Sequence, residues 1–206
     1  MVSDLTDKEQ IELFKKWWRN YGQSISFAIV FGLLIGFGWR YWHQYQTHYA
    51  ERASTIYYQL QIANAQNQTT QAQQLSTQLL QNYARTPYAS LAALLVAKDA
   101  VAQKNYAGAL QQLQWVMQHA NLPSLKQIAR LRAARVLLAQ QQLPAAMQML
   151  QHVDDATYQP LIDGVKGDIY AAMGNASAAK QAYQTAQNET QAAKMMDPVL
   201  QMKVSQ

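Results

Sequence analysis

The sequence predicts an all-α protein: a single N-terminal transmembrane helix followed by an α-solenoid of about four helical hairpins, closed by a C-terminal capping helix. Three observations lead there. The run from Asn20 to Trp39 carries no charged side chain. The remainder is rich in Gln and Ala, and it nearly lacks the runs of Val, Ile and Thr that favour strands. After residue 50, similar residues recur at intervals of 33 to 37 positions, the mark of a repeat array. The expected organisation is a cytoplasmic head over 1–19, a membrane span over 20–41 and a translocated repeat domain over 42–206.

The head reads as a short amphipathic helix. Ser3 or Asp4 can cap it, Asp7 lies near its positive end, and Ile11, Phe14, Trp17 and Trp18 share a side. It ends in Lys15, Lys16 and Arg19 among Trp17, Trp18 and Tyr21. Cationic and aromatic residues suit a bilayer interface, where stems and rings sit among headgroups and polar tips reach water.

The uncharged run that follows would be about 30 Å long as a helix, enough to cross the hydrocarbon of a bilayer. Its far border repeats the aromatic belt with Trp39, Tyr41, Trp42, Tyr45 and Tyr49 around Arg40. Lys8, Lys15, Lys16 and Arg19 before the run outnumber Arg40 and Arg52 after it, so the N-terminus is expected in the cytoplasm. No small-residue cleavage pattern follows, which favours an uncleaved anchor. Gly32 and Gly36 form a GxxxG pair that can let two membrane helices approach. Glycine is common in membrane helices, so ordinary anchor sequence explains the pair equally well. Between Gly38 and Gln66 there is neither Gly nor Pro. One helix is therefore expected to run from the span into the first hairpin, whose first helix covers about 47–65.

Beyond residue 50, turn signals stand at Asn67-Gln68-Thr69-Thr70, Arg85-Thr86-Pro87, Lys104-Asn105, Asn121-Leu122-Pro123, Leu143-Pro144, Gln159-Pro160 and Gly174-Asn175. Ala72, Ala109, Ala146 and Ala179 mark the register, each near the start of the second helix of a pair. Four residues later come Ser76, Leu113, Leu150 and Tyr183, and seven later Leu79, Val116, Val153 and Ala186, all expected on one helix face. Twelve before each Ala stand Leu60, Ala97, Ala134 and Gly167; nine before stand Ala63, Ala100, Leu137 and Tyr170. This order of small and larger residues lets two helices lock closely. Met195, Met196, Val199, Leu200 and Met202 are expected on a closing helix over 190–206.

A catalytic site needs converging acids, bases, nucleophiles or a metal cluster, and the sequence offers none. There is no cysteine, hence no disulfide or thiolate metal site. His43 and His48 follow the span, while His119 and His152 are expected at helix C-termini. Asp154, Asp155, Asp163 and Asp168 lack calcium-loop spacing and read as capping and solvation. No enzyme activity, metal or cofactor is expected. The net charge of +5 comes from scattered residues, and no aromatic-plus-basic platform suggests nucleic acid. A basic run of Lys126, Arg130, Arg132 and Arg135 lies on a first helix. In a superhelix of hairpins, first helices line the groove, so Arg132 and Arg135 are candidate contacts to acidic or C-terminal groups of a peptide; ordinary exposed charge is the competing reading.

The repeat pattern resembles the tetratricopeptide repeat, best in the last unit through Gly167, Tyr170, Gly174, Ala179, Tyr183 and Ala186. The earlier units are degenerate, keeping the size pattern without the glycines. The whole layout, with the stretch Gly38-Trp39-Arg40-Tyr41-Trp42 as its most specific local match, resembles the YfgM family of ancillary subunits of the bacterial SecYEG translocon. That resemblance implies a single-pass inner-membrane protein with its bulk in the periplasm. It implies association with SecYEG and with the membrane-anchored chaperone PpiD, and a part in passing newly secreted, unfolded polypeptides to periplasmic chaperones. The alternative is a membrane-tethered scaffold for another process of cell-envelope assembly.

Overall fold

A computed structural model of the protein describes residues 7–192. The chain divides into two units, Met1–Tyr49 and Ala50–Gln206. Helix α1 spans Asp7–Ala65. It agrees with the expectation of an unbroken helix beyond Gly38, and it also takes in the head from Asp7 onward. The caps Ser3 and Asp4, the side chains of Phe14 and Tyr45, and residues 193–206 of the closing helix predicted over 190–206 lie outside the described residues, while 190–192 end the last helix, Ala176–Ala192.

In the first unit the described side chains of α1 are exposed nearly throughout. Phe31, Leu33, Leu34, Ile35 and Phe37 are more than half exposed, with Phe37 at 69%. An added Cβ at Gly32, Gly36 or Gly38 would meet nothing within 4 Å. The predicted span falls within this helix, although the side chains of 22–30 are not among those described. Among the described residues, no helix is long and apolar enough to cross a membrane.

The second unit is built from the end of α1 with α2 (Thr69–Asn82), then α3 (Pro87–Ala102) with α4 (Tyr106–His119), α5 (Pro123–Ala139) with α6 (Leu143–Met149), and α7 (Gln159–Ala172) with α8 (Ala176–Ala192). A 3-10 turn, Ala156–Tyr158, precedes α7. Pro87, Pro123, Pro144 and Pro160 open their helices at the first or second position. There the missing N–H is an orphan in any case and the fixed φ is already helical.

The four hairpin turns share one geometry. Asn67, Lys104, Gln141 and Gly174 have φ of 57°, 59°, 59° and 76°, and each stands five residues before its repeat alanine. In every turn the next residue's N–H reaches back to close a Schellman motif: Gln68 to Ala63, Asn105 to Ala100, Gln142 to Leu137 and Asn175 to Tyr170, at 2.8–2.9 Å. Asn105 and Asn175 also cap the following helix, their side chains accepting from the N–H of Gly108 and Ala178 at 3.0 Å. Only one of the four left-handed positions is glycine. A glycine-based repeat signature therefore finds the last unit and misses the others.

Burial follows the alanine register. Ala109, Ala146 and Ala179 are buried and Ala72 half-buried. Ser76, Leu113, Leu150 and Tyr183, one turn on, are all buried, as are Leu79, Val116 and Ala186. Three apolar clusters result among the described residues. Ala53 and Leu60 of α1 pack with Leu79, Ala89 and Ala92. Ala93 and Ala97 of α3 meet Leu113, Val116 and Ala129. Leu131, Ala134 and Leu137 of α5 meet Leu150, Ile162 and Ile169.

The third unit corrects the sequence reading. Val153 was expected on the packed face but is 41% exposed, because α6 ends at Met149. Gln127, fully buried on α5, accepts through Oε1 from the N–H of Asp154 (2.7 Å) and Asp155 (3.4 Å). Arg130 Nε donates to Asp154 Oδ2 at 2.9 Å. These contacts hold residues 150–155 out of helix. The acidic stretch, read from the sequence as capping and solvation, does cap at Asp155, while its other members are engaged rather than solvated. Asp155 caps the 3-10 turn, Asp163 is buried and pairs with Lys166 at 2.8 Å, and Asp168 accepts from the Tyr183 hydroxyl at 2.9 Å.

Candidate functional site

The first helices α3 and α5 lie side by side, and a crevice of about 240 Å³ opens between them. Ala97 of α3, Leu113 of α4 and Val136 of α5 are buried residues that form its apolar floor. Val101 stands exposed at its edge. Lys98, Arg132 and Arg135 line the rim, and all three are exposed. No acidic residue contributes to the lining. Helical periodicity explains the arrangement. Arg132, Arg135 and Val136 fall within one turn of α5 and share a side, as Ala97, Lys98 and Val101 do on α3.

The basic run predicted on α5 is thus divided. Arg132 and Arg135 face the crevice, whereas Arg130 turns the other way and is neutralised by Asp154. Arg132 Nη1 also donates to the Leu94 carbonyl at 3.4 Å, which ties its stem to α3. Lys98 was missed by sequence reasoning because it lies on a different helix. Its signal was available: Lys98 and Arg135 each stand eleven residues ahead of their repeat alanines, Ala109 and Ala146.

Two other crevices have a different character. One, of about 450 Å³, lies over the first two hairpin turns and is lined by amides and hydroxyls such as Asn64, Thr69, Gln73 and Ser76. The other, of about 460 Å³, lies between α2 and α4, where Gln81, Gln111, Gln114 and Gln118 surround Trp115. Trp115 stacks on His119 with ring centroids 4.6 Å apart, and His119 Nδ1 donates to the Trp115 carbonyl at 2.9 Å. His119 therefore serves its own helix end.

The last hairpin locks through the residues that carried the repeat signature. An alanine Cβ at Gly167 would overlap the ring of Tyr183, chiefly Cε1 and Cδ1. Tyr183 is 8% exposed, and its hydroxyl is pushed above the ordinary tyrosine range by burial, then by the hydrogen bond and charge of Asp168. Tyr170 is half-buried on the same α7, and Ala186 is fully buried. Beside them Glu189 is raised by burial and by the charge of Asp163, against the pull of Lys166. These residues build the hairpin and leave no open site. Among the described residues no cluster could hold a metal ion.

On α1, Trp17 and Trp18 lie with ring centroids 6.5 Å apart, and Trp17 and Tyr21 at 6.3 Å. Trp39, Tyr41 and Trp42 are 63–75% exposed, and Arg19 and Arg40 are exposed as well.

A family model described as a tetratricopeptide repeat-like domain matches residues 15–206. Among curated proteins, the chain is 33% identical to an ancillary SecYEG translocon subunit of Aggregatibacter actinomycetemcomitans, over 91% of each chain. It is 30% identical to the same-named protein of Haemophilus influenzae, over 95% of this chain and 98% of that one. The Escherichia coli protein of that name is 24% identical over 97% and 95%. No solved structure gives a significant match. With the repeat register, the hairpin turns and these full-length likenesses together, the chain belongs to the YfgM family of ancillary SecYEG translocon subunits, which carries a tetratricopeptide repeat-like domain.

Proposed function

We propose that the protein is a non-enzymatic, single-pass inner-membrane subunit of the Sec translocon. Its N-terminus faces the cytoplasm and its repeat domain the periplasm, where it contacts PpiD and helps pass secreted polypeptides to chaperones. The observation that carries this reading is the likeness to named translocon subunits along nearly the whole chain, N-terminal region included. The exposed apolar residues of α1 support it. Leu33, Leu34 and Ile35 are consecutive, so they point around the helix in steps of about 100°. Large apolar side chains exposed on every side of a helix call for a non-aqueous cover, and a bilayer supplies one. The aromatic residues at both borders suit the interfaces of that bilayer. A membrane anchor would also raise the effective concentration of the repeat domain at the translocon, so weak contacts suffice for capture.

Photo-crosslinkers placed at Trp39, Tyr41 or Trp42 in intact membranes test the assignment. Adducts with SecYEG components or PpiD are expected. Adducts confined to proteins of another envelope assembly would replace this reading with the scaffold alternative. A C-terminal alkaline phosphatase fusion should be active and a C-terminal fluorescent protein fusion dark; the reverse pattern would overturn the topology.

A further inference from the structure

We propose that the α3–α5 crevice binds an acidic segment of a partner polypeptide, with one bulky apolar side chain of that segment seated on its floor; this specifies the ligand of the interaction domain assigned above and rests on that reading. Two features of the crevice are complementary to such a segment. The floor of Ala97, Leu113 and Val136 is apolar, and the crevice above it opens to solvent. Its volume of about 240 Å³ falls below the roughly 300 Å³ at the lower end of small-molecule sites, so it suits a single side chain. The rim gathers Lys98, Arg132 and Arg135 with no acid in the lining.

The absence of counter-charge is local. Arg130, on the same helix as two of the rim cations, is neutralised within the chain by Asp154. Among the described residues none of the three rim cations forms an ion pair. Three like charges around one depression repel one another until an anion enters. Arg132 spends one donor on the Leu94 carbonyl, which orders its stem and leaves the rest of the guanidinium fork for a carboxylate. Lys98 and Arg135 occupy equivalent places in consecutive units. They repeat the charge from one unit to the next. Exposed ion pairs are individually weak, so recognition requires the apolar anchor and the charges together. That double requirement separates this ligand from a generic polyanion.

The experiment uses the full chain in phosphatidylcholine nanodiscs and a fluorescein-labelled peptide, Gly-Asp-Glu-Phe-Asp-Glu-Gly, followed by anisotropy. Two companion peptides replace Phe by Ser, or every acid by Lys. The wild type should bind the acidic Phe peptide at least tenfold more tightly than either companion. The double variant Arg132→Glu with Arg135→Glu should lose at least tenfold and turn its preference toward the Lys peptide. Arg135→Gln alone and a salt titration of the wild type provide readouts that do not depend on the double variant folding. Equal binding of the three peptides, or an acidic-peptide affinity unmoved by charge reversal, would overturn the proposal. Binding that needs the charges and ignores Phe would also overturn it, pointing to a polyanion such as nucleic acid or an anionic lipid surface. A wild type that shows the peptide preference and fails to co-purify with the translocon would count against the assigned function and leave this site standing.

Discussion

Substituting Gly167 by alanine tests whether the last hairpin is locked by a close approach. Helix α7 presents Gly167 to the ring of Tyr183 on α8, and an added methyl group would overlap that ring. The ring has little room to yield, being buried and fastened by its hydroxyl to Asp168 at 2.9 Å. Overpacking of this kind costs about 1–3 kcal/mol. Exchanging Gly for Ala within a helix returns about 1 kcal/mol, so the net loss is on the order of 0–2 kcal/mol. The sharper quantity is the coupling. In a Tyr183→Ala background the overlap disappears, and Gly167→Ala should stabilise by about 1 kcal/mol. Urea unfolding of the four proteins of this cycle, followed by circular dichroism, measures both values. If Gly167→Ala shifts the midpoint equally in the two backgrounds, the close approach is not what demands glycine there.

Three further outcomes are expected. Gln141→Gly should stabilise by a few tenths to about 1 kcal/mol, because a left-handed conformation costs a residue with a Cβ about 1–2 kcal/mol while glycine loses about 0.5–1 kcal/mol in chain entropy; a fall in the urea midpoint would contradict this. Gln127→Leu should cost about 1–3 kcal/mol by leaving the Asp154 N–H without its buried acceptor, and amide exchange should rise over residues 150–155 first. Glu189→Gln should raise the melting temperature at pH 7. The folded protein raises the pKa of Glu189, so this group favours folding most when protonated and that contribution is lost as pH rises through the folded value. The advantage of the variant should therefore fade toward about pH 4, where the carboxyl is largely protonated even in the unfolded chain.

The local geometry of the repeats was legible because it obeys short-range rules. Ala109 and Ala146 mark register through the 3.6-residue period, and Pro87 and Pro123 announce helix starts through their missing N–H. The end of α6 was not legible. It depends on Gln127 and Arg130, which meet Asp154 from more than twenty positions earlier in the chain, and no local pattern encodes such a pairing. The same limit hid one of the three cations of the candidate site. Arg132 and Arg135 were visible as a run on one helix. Lys98 joins them only because consecutive units stack in register, and Arg130 leaves them only because an acid from the following loop neutralises it.

Helix α5 belongs to two apolar clusters at once: Ala129, Ala133 and Val136 face α3 and α4, whereas Leu131, Ala134 and Leu137 face α6 and α7. Neither cluster can open while α5 stays fully packed. Hydrogen exchange should therefore find its slowest amides there, with protection falling in both directions along the array. Mechanically α5 is the keystone of the stack, and the crevice lined by Arg132 and Arg135 is set in the part of the domain least free to breathe. A segment arriving there meets a surface already formed, and little of its binding energy is lost to ordering the protein.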